Sequence, residues 1–268
     1  DVCSSDLAVD GAQYTQQRTR HVEELFLNLL RGEEKTKINI EKYLNTFVDT
    51  AVAADTGHAH LGLSLTDEAT PTLLTSDYGA LGFSEIDLSS APDSYTTSTT
   101  ALSDVSSPHG IAYDSADDTI WVCDTDNGRV RNFNRSDGSL NAARDIEIGP
   151  YWDNQLVDAV VVDRTLYVGD RKKNGFWVID ISPATPEIRN FRPLHMMNED
   201  EYGYMDLVYD ASNDRMFITS DEYGGFAVLE FADENIFYET EHLPSGSGLA
   251  LASDGTIYFN TGYSLFET

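Results

Sequence analysis

Basic residues and cysteines are scarce in this sequence, and it has no long apolar run. The 268 residues include 17 Lys and Arg against 46 Asp and Glu, a formal charge of −29. Such a charge repels phosphates, so we expect no nucleic-acid partner. The apolar runs are too short for a membrane span, which predicts no membrane insertion. The two cysteines cannot form a disulfide scaffold. We also expect the protein to be a monomer.

Lysine is the scarcer of the two basic residues. The chain holds 5 Lys and 12 Arg beside 29 Asp. Low lysine with high aspartate keeps a protein hydrated in concentrated salt, where the Debye length shortens to about 3 Å at 1 M and self-repulsion is screened. This pattern favours a bacterial or archaeal protein that is halophilic or marine, and extracellular, cell-surface or periplasmic. A cytoplasmic origin is the alternative.

Both ends of the sequence indicate a truncated chain. Residues 1–7, DVCSSDL, match the translation of a common sequencing adapter, which indicates a metagenomic fragment whose true N-terminus is missing. The alternative is a genuine secreted N-terminus. On the first interpretation, residues 8–268 form a single domain that is truncated at both ends.

The dominant pattern is an internal repeat. Each repeat consists of a short apolar strand, an acidic turn, a second apolar strand, a Gly-rich or acidic turn and a third strand. The repeats start near residues 61, 109, 157, 205 and 247, and looser segments between them predict fourth, outer strands at 141–148, 186–194 and 235–242. A period of 40–50 residues with several short strands is typical of a β-propeller blade. We therefore predict an all-β propeller of four-stranded blades.

The N-terminal part permits two interpretations. The apolar residues between Val22 and Leu30 have helical spacing. Residues 21–57 also match the register of the later repeats, which would make them a partial sixth blade. Both a partial blade and a helical lead-in stay open.

Two repeats resemble known repeat families. Residues 107–134, SPHGIAYDSADDTIWVCDTDNGRVRNFN, resemble an NHL repeat, and residues 166–188, LYVGDRKKNGFWVIDISPATPEI, resemble an LVIVD repeat. The resemblance implies a secreted or surface propeller that binds a ligand. Both repeat types indicate an architecture and not one activity.

Carboxylates recur at one face of the predicted propeller, where the inner strands begin and the hairpins between second and third strands lie. Asp158 and Asp206 occupy equivalent positions on successive inner strands, where other repeats have Gly. Carboxylate oxygens suit Ca2+ or another divalent cation, which makes this pair a candidate metal site. Alternatively, both side chains accept hydrogen bonds from backbone amides of the neighbouring blade.

His109 is the candidate general base. Its Pro-His-Gly-Ile context resembles that of streptogramin-lyase-type propellers, which implies a metal-assisted elimination at the channel mouth. A histidine with a pKa near neutrality could move the proton. On this interpretation His109, Asp158 and Asp206 are the catalytic residues of a lyase or lactone hydrolase.

Turn residues on the same face are candidate ligand contacts, since exposed aromatics on a rigid ring anchor glycans or proteins. The predicted contact set contains Asp77, Tyr78, His109, Asp124, Asp126, Trp152, Asp170, Arg171, Tyr204, Asp221 and Tyr223. Alternatively, the aromatics pack between blades. We expect a non-catalytic scaffold that binds a protein or glycan, and the lyase or lactone hydrolase is the alternative.

Overall fold

The computed structural model describes most of the chain from residue 60 onward. The described residues are 60–66, 72–87, 96–194, 205–220, 225–232, 235–239, 248–251, 257–260 and 265–267. The two interpretations of residues 21–57 lie outside this range, as do residues 1–7.

The described strands form five antiparallel sheets, each a meander of consecutive strands. Blade 1 contains β1 (His60–Leu65), β2 (Thr72–Asp77), β3 (Gly82–Asp87) and β4 (Thr96–Ala101). Blade 2 contains β5 (Pro108–Asp114), β6 (Thr119–Asp124), β7 (Arg129–Asn134) and β8 (Ile146–Glu147). Blade 3 contains β9 (Leu156–Val162), β10 (Thr165–Asp170), β11 (Gly175–Asp180) and β12 (Glu187–Pro193). Blade 4 contains β13 (Met205–Asp210), β14 (Arg215–Ser220), β15 (Gly225–Glu230) and β16 (Asn235–Glu239). Blade 5 contains β17 (Gly248–Leu251), β18 (Ile257–Asn260) and β19 (Leu265–Glu267).

Burial differs between the central and the outer strands of blades 2 and 3, as expected for a propeller. The second strand of blade 2, β6, is buried along its whole length, whereas the outer strand of blade 3, β12, is mostly exposed. Buried central strands need apolar residues on both faces, which explains the Ile-Trp-Val and Leu-Tyr-Val runs of β6 and β10. The first strands of neighbouring blades contact one another, so they form the inner ring.

The hydrophobic core lies between the blades. One cluster joins blades 1 and 2 through residues such as Phe83 and Phe133. A second joins blades 2 and 3 around Trp121 and Leu166, and a third joins blades 3 and 4 around Phe176 and Met216. Blades 1 to 4 therefore bury apolar faces against one another, as expected for a repeat architecture.

The predicted fold class is confirmed, and the first strands begin at His60, Pro108, Leu156, Met205 and Gly248, within one residue of the predicted repeat starts. The outer strand of blade 2 differs from the prediction. Only Ile146–Glu147 pairs as β8, and a 3-10 turn, Ala142–Arg144, precedes it. Arg144 explains the difference, because its guanidinium lies over the Trp121 ring and donates to the Ile181 carbonyl of blade 3 at 2.7 Å.

None of the described segments is a helix long and apolar enough to cross a bilayer. Cys123 is a buried free thiol in β6. Burial, the largest cause, and the nearby Asp158 carboxyl raise the pKa of the Cys123 thiol well above its usual value.

Candidate functional site

One face of the propeller collects the predicted site residues that the structure describes. We call it the upper face: it contains the starts of the inner strands and the hairpins between the second and third strands of each blade. The antiparallel meander brings these two groups together, since Pro108 pairs with Asp124 and Leu156 pairs with Asp170. The lower face carries the opposite strand ends.

Three of the predicted ligand-contact carboxylates are buried at equivalent ends of second strands. Asp77, Asp124 and Asp170 are at most 1% exposed. Each stands opposite the start of the inner strand next to a register shift. Asp77 accepts the Ala80 amide hydrogen at 2.8 Å. These carboxylates serve the fold, and they are not presented to solvent.

Asp124 shows this role most fully. Its Oδ1 accepts hydrogen bonds from the Ser106 amide at 3.1 Å, the Ser107 amide at 3.2 Å and the Ser106 hydroxyl at 3.2 Å. Its Oδ2 accepts Asn127 Nδ2 at 2.8 Å and Arg131 Nε at 3.0 Å. One buried carboxylate thus ties the segment before β5 to the β6–β7 hairpin.

Asp170 performs the same task in blade 3 with different partners. Its Oδ1 accepts the backbone amides of Gln155, Lys172 and Lys173 at 3.0, 3.1 and 3.3 Å. Its Oδ2 accepts the indole Nε1–H of Trp177 at 3.0 Å. Here the buried carboxylate is satisfied by amides and an indole.

Asp158 and Asp206 do come together. Asp158 is 8% exposed, and its Oδ2 accepts the Leu207 amide of blade 4 at 2.7 Å. Burial above all, and then the charge of Asp206 and a hydrogen bond with its side chain, raise the pKa of Asp158 well above its ordinary value. The two carboxyl groups therefore lie within hydrogen-bonding reach of each other on neighbouring inner strands. Asp158 makes the hydrogen bond to a neighbouring-blade amide that the structural alternative predicted.

Gly110 explains why blade 2 lacks this carboxyl. A Cβ at Gly110 would lie 2.5 Å from Asp158 Cα and 2.7 Å from its carbonyl carbon. The equivalent inner-strand position in blade 2 must stay a glycine, because the backbone of Asp158 lies directly against it.

The described residues do not by themselves complete the metal site that the sequence suggested. Across the described ranges, no three His, Cys, Asp or Glu side chains are grouped to hold an ion. Asp158 already accepts a backbone hydrogen bond from Leu207, and burial and Asp206 raise its pKa, which disfavours the ionised form that a cation requires. A hard cation requires more oxygen ligands than this pair supplies.

His109 lies on the upper face next to an aromatic. Its ring meets the Tyr78 ring edge-on at a centroid distance of 6.1 Å, and Tyr78 is 43% exposed. Burial, and secondarily the charge of Arg171, lower the pKa of His109 from 6.5 to about 4. This lowered pKa departs from the near-neutral value expected of a general base and favours the uncharged imidazole.

A tight turn before β9 presents two exposed aromatics. The amides of Asp153 and Asn154 both donate to the Pro150 carbonyl, at 2.9 and 3.0 Å. Tyr151 and Trp152, at the tip of this turn, are 40% and 73% exposed. Trp152 therefore projects from a hydrogen-bonded turn and does not pack between blades.

The β10–β11 hairpin adds cations beside this turn. The Arg171 amide donates to the Gln155 carbonyl at 3.0 Å, and Arg171 Nε donates to Gln155 Oε1 at 2.6 Å. Lys173 Nζ lies 4.7 Å from the centroid of the Trp177 ring. Gln155 thus joins the turn that carries Trp152 to the hairpin that carries Arg171.

The remaining predicted contacts fall into two groups. Asp126 is exposed on the β6–β7 hairpin. Tyr204, Asp221 and Tyr223 lie outside the described residues.

Sequence reasoning missed Gln155 and Lys173. No motif marks Gln155, because its role depends on the meeting of two segments. Lys173 had a signal: Lys172 and Lys173 are adjacent in a chain with only 5 lysines.

The fold and this face define a β-propeller, and comparison with known proteins agrees. Residues 106–133 match the family described as NHL repeat, so the chain contains an NHL repeat within its propeller. No curated protein matches the sequence.

Solved structures with the same fold have diverse functions. A chain in the crystal structure of a nidogen/laminin complex has 16% sequence identity to this protein and a TM-score of 0.60. The match covers 79% of this chain and 76% of the other chain. Virginiamycin B lyase from Staphylococcus aureus is 13% identical with a TM-score of 0.56, over 77% and 69%. The Cps50 (Swd1) propeller domain from Myceliophteria thermophila is 11% identical with a TM-score of 0.52, over 75% and 61%. At such identities the likeness shows the fold alone.

Proposed function

We propose that this propeller is a secreted or cell-surface scaffold that binds an extracellular protein or glycan through its upper face. The observation that carries the proposal is the exposed aromatic turn, in which Trp152 is 73% and Tyr151 is 40% exposed. An exposed indole on a hydrogen-bonded turn loses little conformational entropy when it binds, and buried indoles commonly dominate binding energies. The structural likeness to a nidogen/laminin complex supports a binding role for the fold.

Binding can be tested on a panel of extracellular glycans and matrix proteins that includes laminin, with wild type compared with Trp152→Ala. We expect at least about a tenfold loss of affinity for the ligand that wild type binds, because truncating a central aromatic anchor costs about 2 kcal/mol or more. Ile188→Ala is the matched control, since Ile188 is 42% exposed but lies on the lower face. Equal losses in both variants, or none in Trp152→Ala, would reject the upper face as the binding surface.

The Asp158–Asp206 pair supports a second candidate, a lyase or lactone hydrolase at the channel mouth. A carboxyl and a carboxylate that share a proton can donate and accept one during acyl or elimination chemistry. The contribution of these two carboxyl groups would be this proton transfer.

Turnover of lactone and cyclic ester substrates separates the two functions. The enzyme candidate requires turnover that Asp158→Asn abolishes while Trp152→Ala mainly raises KM. Turnover that survives in Asp158→Asn, or no turnover across the panel, would exclude the channel-mouth enzyme.

A further inference from the structure

The charge of this protein is distributed unevenly among its blades. Blade 4, residues 205–239, carries nine acidic residues and one basic residue. Blade 3, residues 156–193, carries five acidic and six basic residues. In a chain of formal charge −29, blade 3 is therefore an exception, because its basic residues outnumber its acidic ones.

The basic residues of blade 3 concentrate on the upper face. Arg171, Lys172 and Lys173 occupy the β10–β11 hairpin, and Arg192 lies opposite Phe176 near the upper end of β12. Lys172 and Lys173 are both of the lysines that the described residues contain.

Seven arginines of the described residues form ion pairs with carboxylates: Arg129, Arg131, Arg135, Arg144, Arg164, Arg189 and Arg215. Arg171 donates its Nε–H to the amide oxygen of Gln155, which ties this guanidinium to the turn that carries Trp152.

The same contacts fix an aromatic platform beside the cations. Gln155 links Arg171 to the turn that exposes Trp152. A single carboxylate oxygen of Asp170 accepts hydrogen bonds from the backbone amides of Gln155, Lys172 and Lys173. Turn and hairpin therefore form one preorganised surface, which lowers the entropic cost of binding.

We propose that this blade-3 surface, formed by Trp152, Arg171, Lys172 and Lys173, binds a uronate-bearing acidic polysaccharide. The indole stacks on the apolar face of a sugar ring, and the guanidinium and ammonium groups form charge-assisted hydrogen bonds with carboxylates of neighbouring units. The inference rests on the proposed binding function and names its ligand class.

A glycan fits this surface better than a folded protein does. A stable protein interface buries about 800 Å² on each partner around an apolar core. The surface here offers two exposed aromatics at one turn and a row of cations. A linear polyanion can engage such a small site repeatedly along its chain, which raises avidity without a larger contact.

Asp153 provides a check of opposite sign. It is exposed and directly follows Trp152 in the turn, so its carboxylate opposes the approach of an anionic ligand. Removing that charge should strengthen the binding that removal of the lysine charges weakens.

The test measures binding of polygalacturonate at 0.15 M salt, against highly methyl-esterified polygalacturonate as the matched neutral ligand. We expect at least about tenfold weaker binding of the ester. Lys172→Gln/Lys173→Gln should weaken binding of the acid form about fivefold or more, and Asp153→Asn should strengthen it. Arg189→Gln is the control, because Arg189 is an exposed cation of the same blade on the lower face.

Several results would overturn the inference. Equal binding of the acid and the ester would exclude carboxylate recognition. If Arg189→Gln lost as much affinity as the double lysine variant, the binding would be nonspecific charge attraction. Binding of poly-glutamate as tight as that of polygalacturonate would replace the glycan by an acidic peptide. If polygalacturonate does not bind but another ligand does so through Trp152, the ligand class is wrong while the proposed binding function stands.

Discussion

Blades 2 and 3 solve the same structural problem with different chemistry. In both, a buried aspartate ends the second strand and holds the segment before the inner strand against the hairpin. In blade 2 its second oxygen accepts from Arg131, whereas in blade 3 the equivalent oxygen accepts from the indole of Trp177. Arg131 and Trp177 are both the third residue of the third strand.

The two blades also differ in where their basic residues lie. In blade 2 the described cations form ion pairs inside or between blades, as Arg129 and Arg131 do with Asp145 and Asp124. In blade 3 the aspartate needs no cation, and the basic residues of its hairpin lie on the upper face. A repeat can therefore keep its fold while it changes the charge that it presents to a ligand.

Asp124→Ala should have the largest effect of the variants that test this comparison. It removes a buried carboxylate that accepts five hydrogen bonds and leaves the Arg131 guanidinium, 10% exposed, without its closest charge partner. We expect the free energy of unfolding to fall by about 3–5 kcal/mol, as measured by denaturant titration. The neighbouring exposed Asp126→Ala should change it by no more than about 0.5 kcal/mol, and a similar loss in both would refute the assigned role.

Asp170→Ala should destabilise the protein less. Its partners are three amides and an indole N–H, so no buried cation is left behind. We expect a loss of about 2–3 kcal/mol by the same titration. A loss as large as that of Asp124→Ala would show that the cationic partner is not what distinguishes the two blades.

Asp158→Asn should stabilise the protein at neutral and alkaline pH. The folded-state pKa of Asp158 is raised above its ordinary value of 3.8, so the folded protein binds a proton that the unfolded chain releases. The free energy of unfolding therefore decreases as pH rises above about 4 toward the folded-state pKa. An asparagine can accept the Leu207 amide and donate to Asp206 without that proton, which removes this decline.

Thermal melts at pH 5, 7 and 9 test this prediction. At pH 9 we expect Asp158→Asn to melt roughly 2–4 °C above wild type, the shift that about 1 kcal/mol produces in a domain of this size. The exposed Asp163→Asn should follow wild type. A variant that melts below wild type at every pH would mean that Asp158 is ionised in the folded protein.

Arg171→Gln should have the smallest effect, on the titration of His109. The folded-state pKa of about 4 lies below 6.5, so the contribution of His109 to stability is complete above pH 6.5 and is lost as pH falls toward 4. Removing the Arg171 charge should raise this pKa but leave it below 6.5, because burial is the larger cause. An NMR titration of the imidazole measures it, and a pKa that stays at about 4 would place Arg171 too far away to matter.

The fold was largely predictable from the sequence, because blade architecture depends on local signals that recur. Alternating apolar strands and turns such as Asn174-Gly175 identified the blades, and Asn174 does adopt a positive φ of 50°. The short β8 was not predictable, since it depends on Arg144 reaching the Ile181 carbonyl in the next blade. Contacts between blades cannot be predicted from the sequence of a single repeat.

The site was predictable only in part. The equivalence of Asp158 and Asp206 correctly placed the two carboxyls side by side, and the exposure of Trp152 agrees with its position in a turn. Sequence could not distinguish a solvent-facing aspartate from one that accepts backbone amides, as the buried Asp170 does. Nor could it show how burial lowers the pKa of His109.

The cores shared between blades have a consequence for synthesis on the ribosome. Trp121 of blade 2 packs in a cluster with Leu166 and Ile179 of blade 3, which emerge more than 40 residues later. At about 5–20 residues per second, the apolar side of a newly made blade waits several seconds for its partner. During that interval the nascent chain exposes strands that can pair with other chains. The dense negative charge of this protein would then keep neighbouring nascent chains apart until each blade is covered.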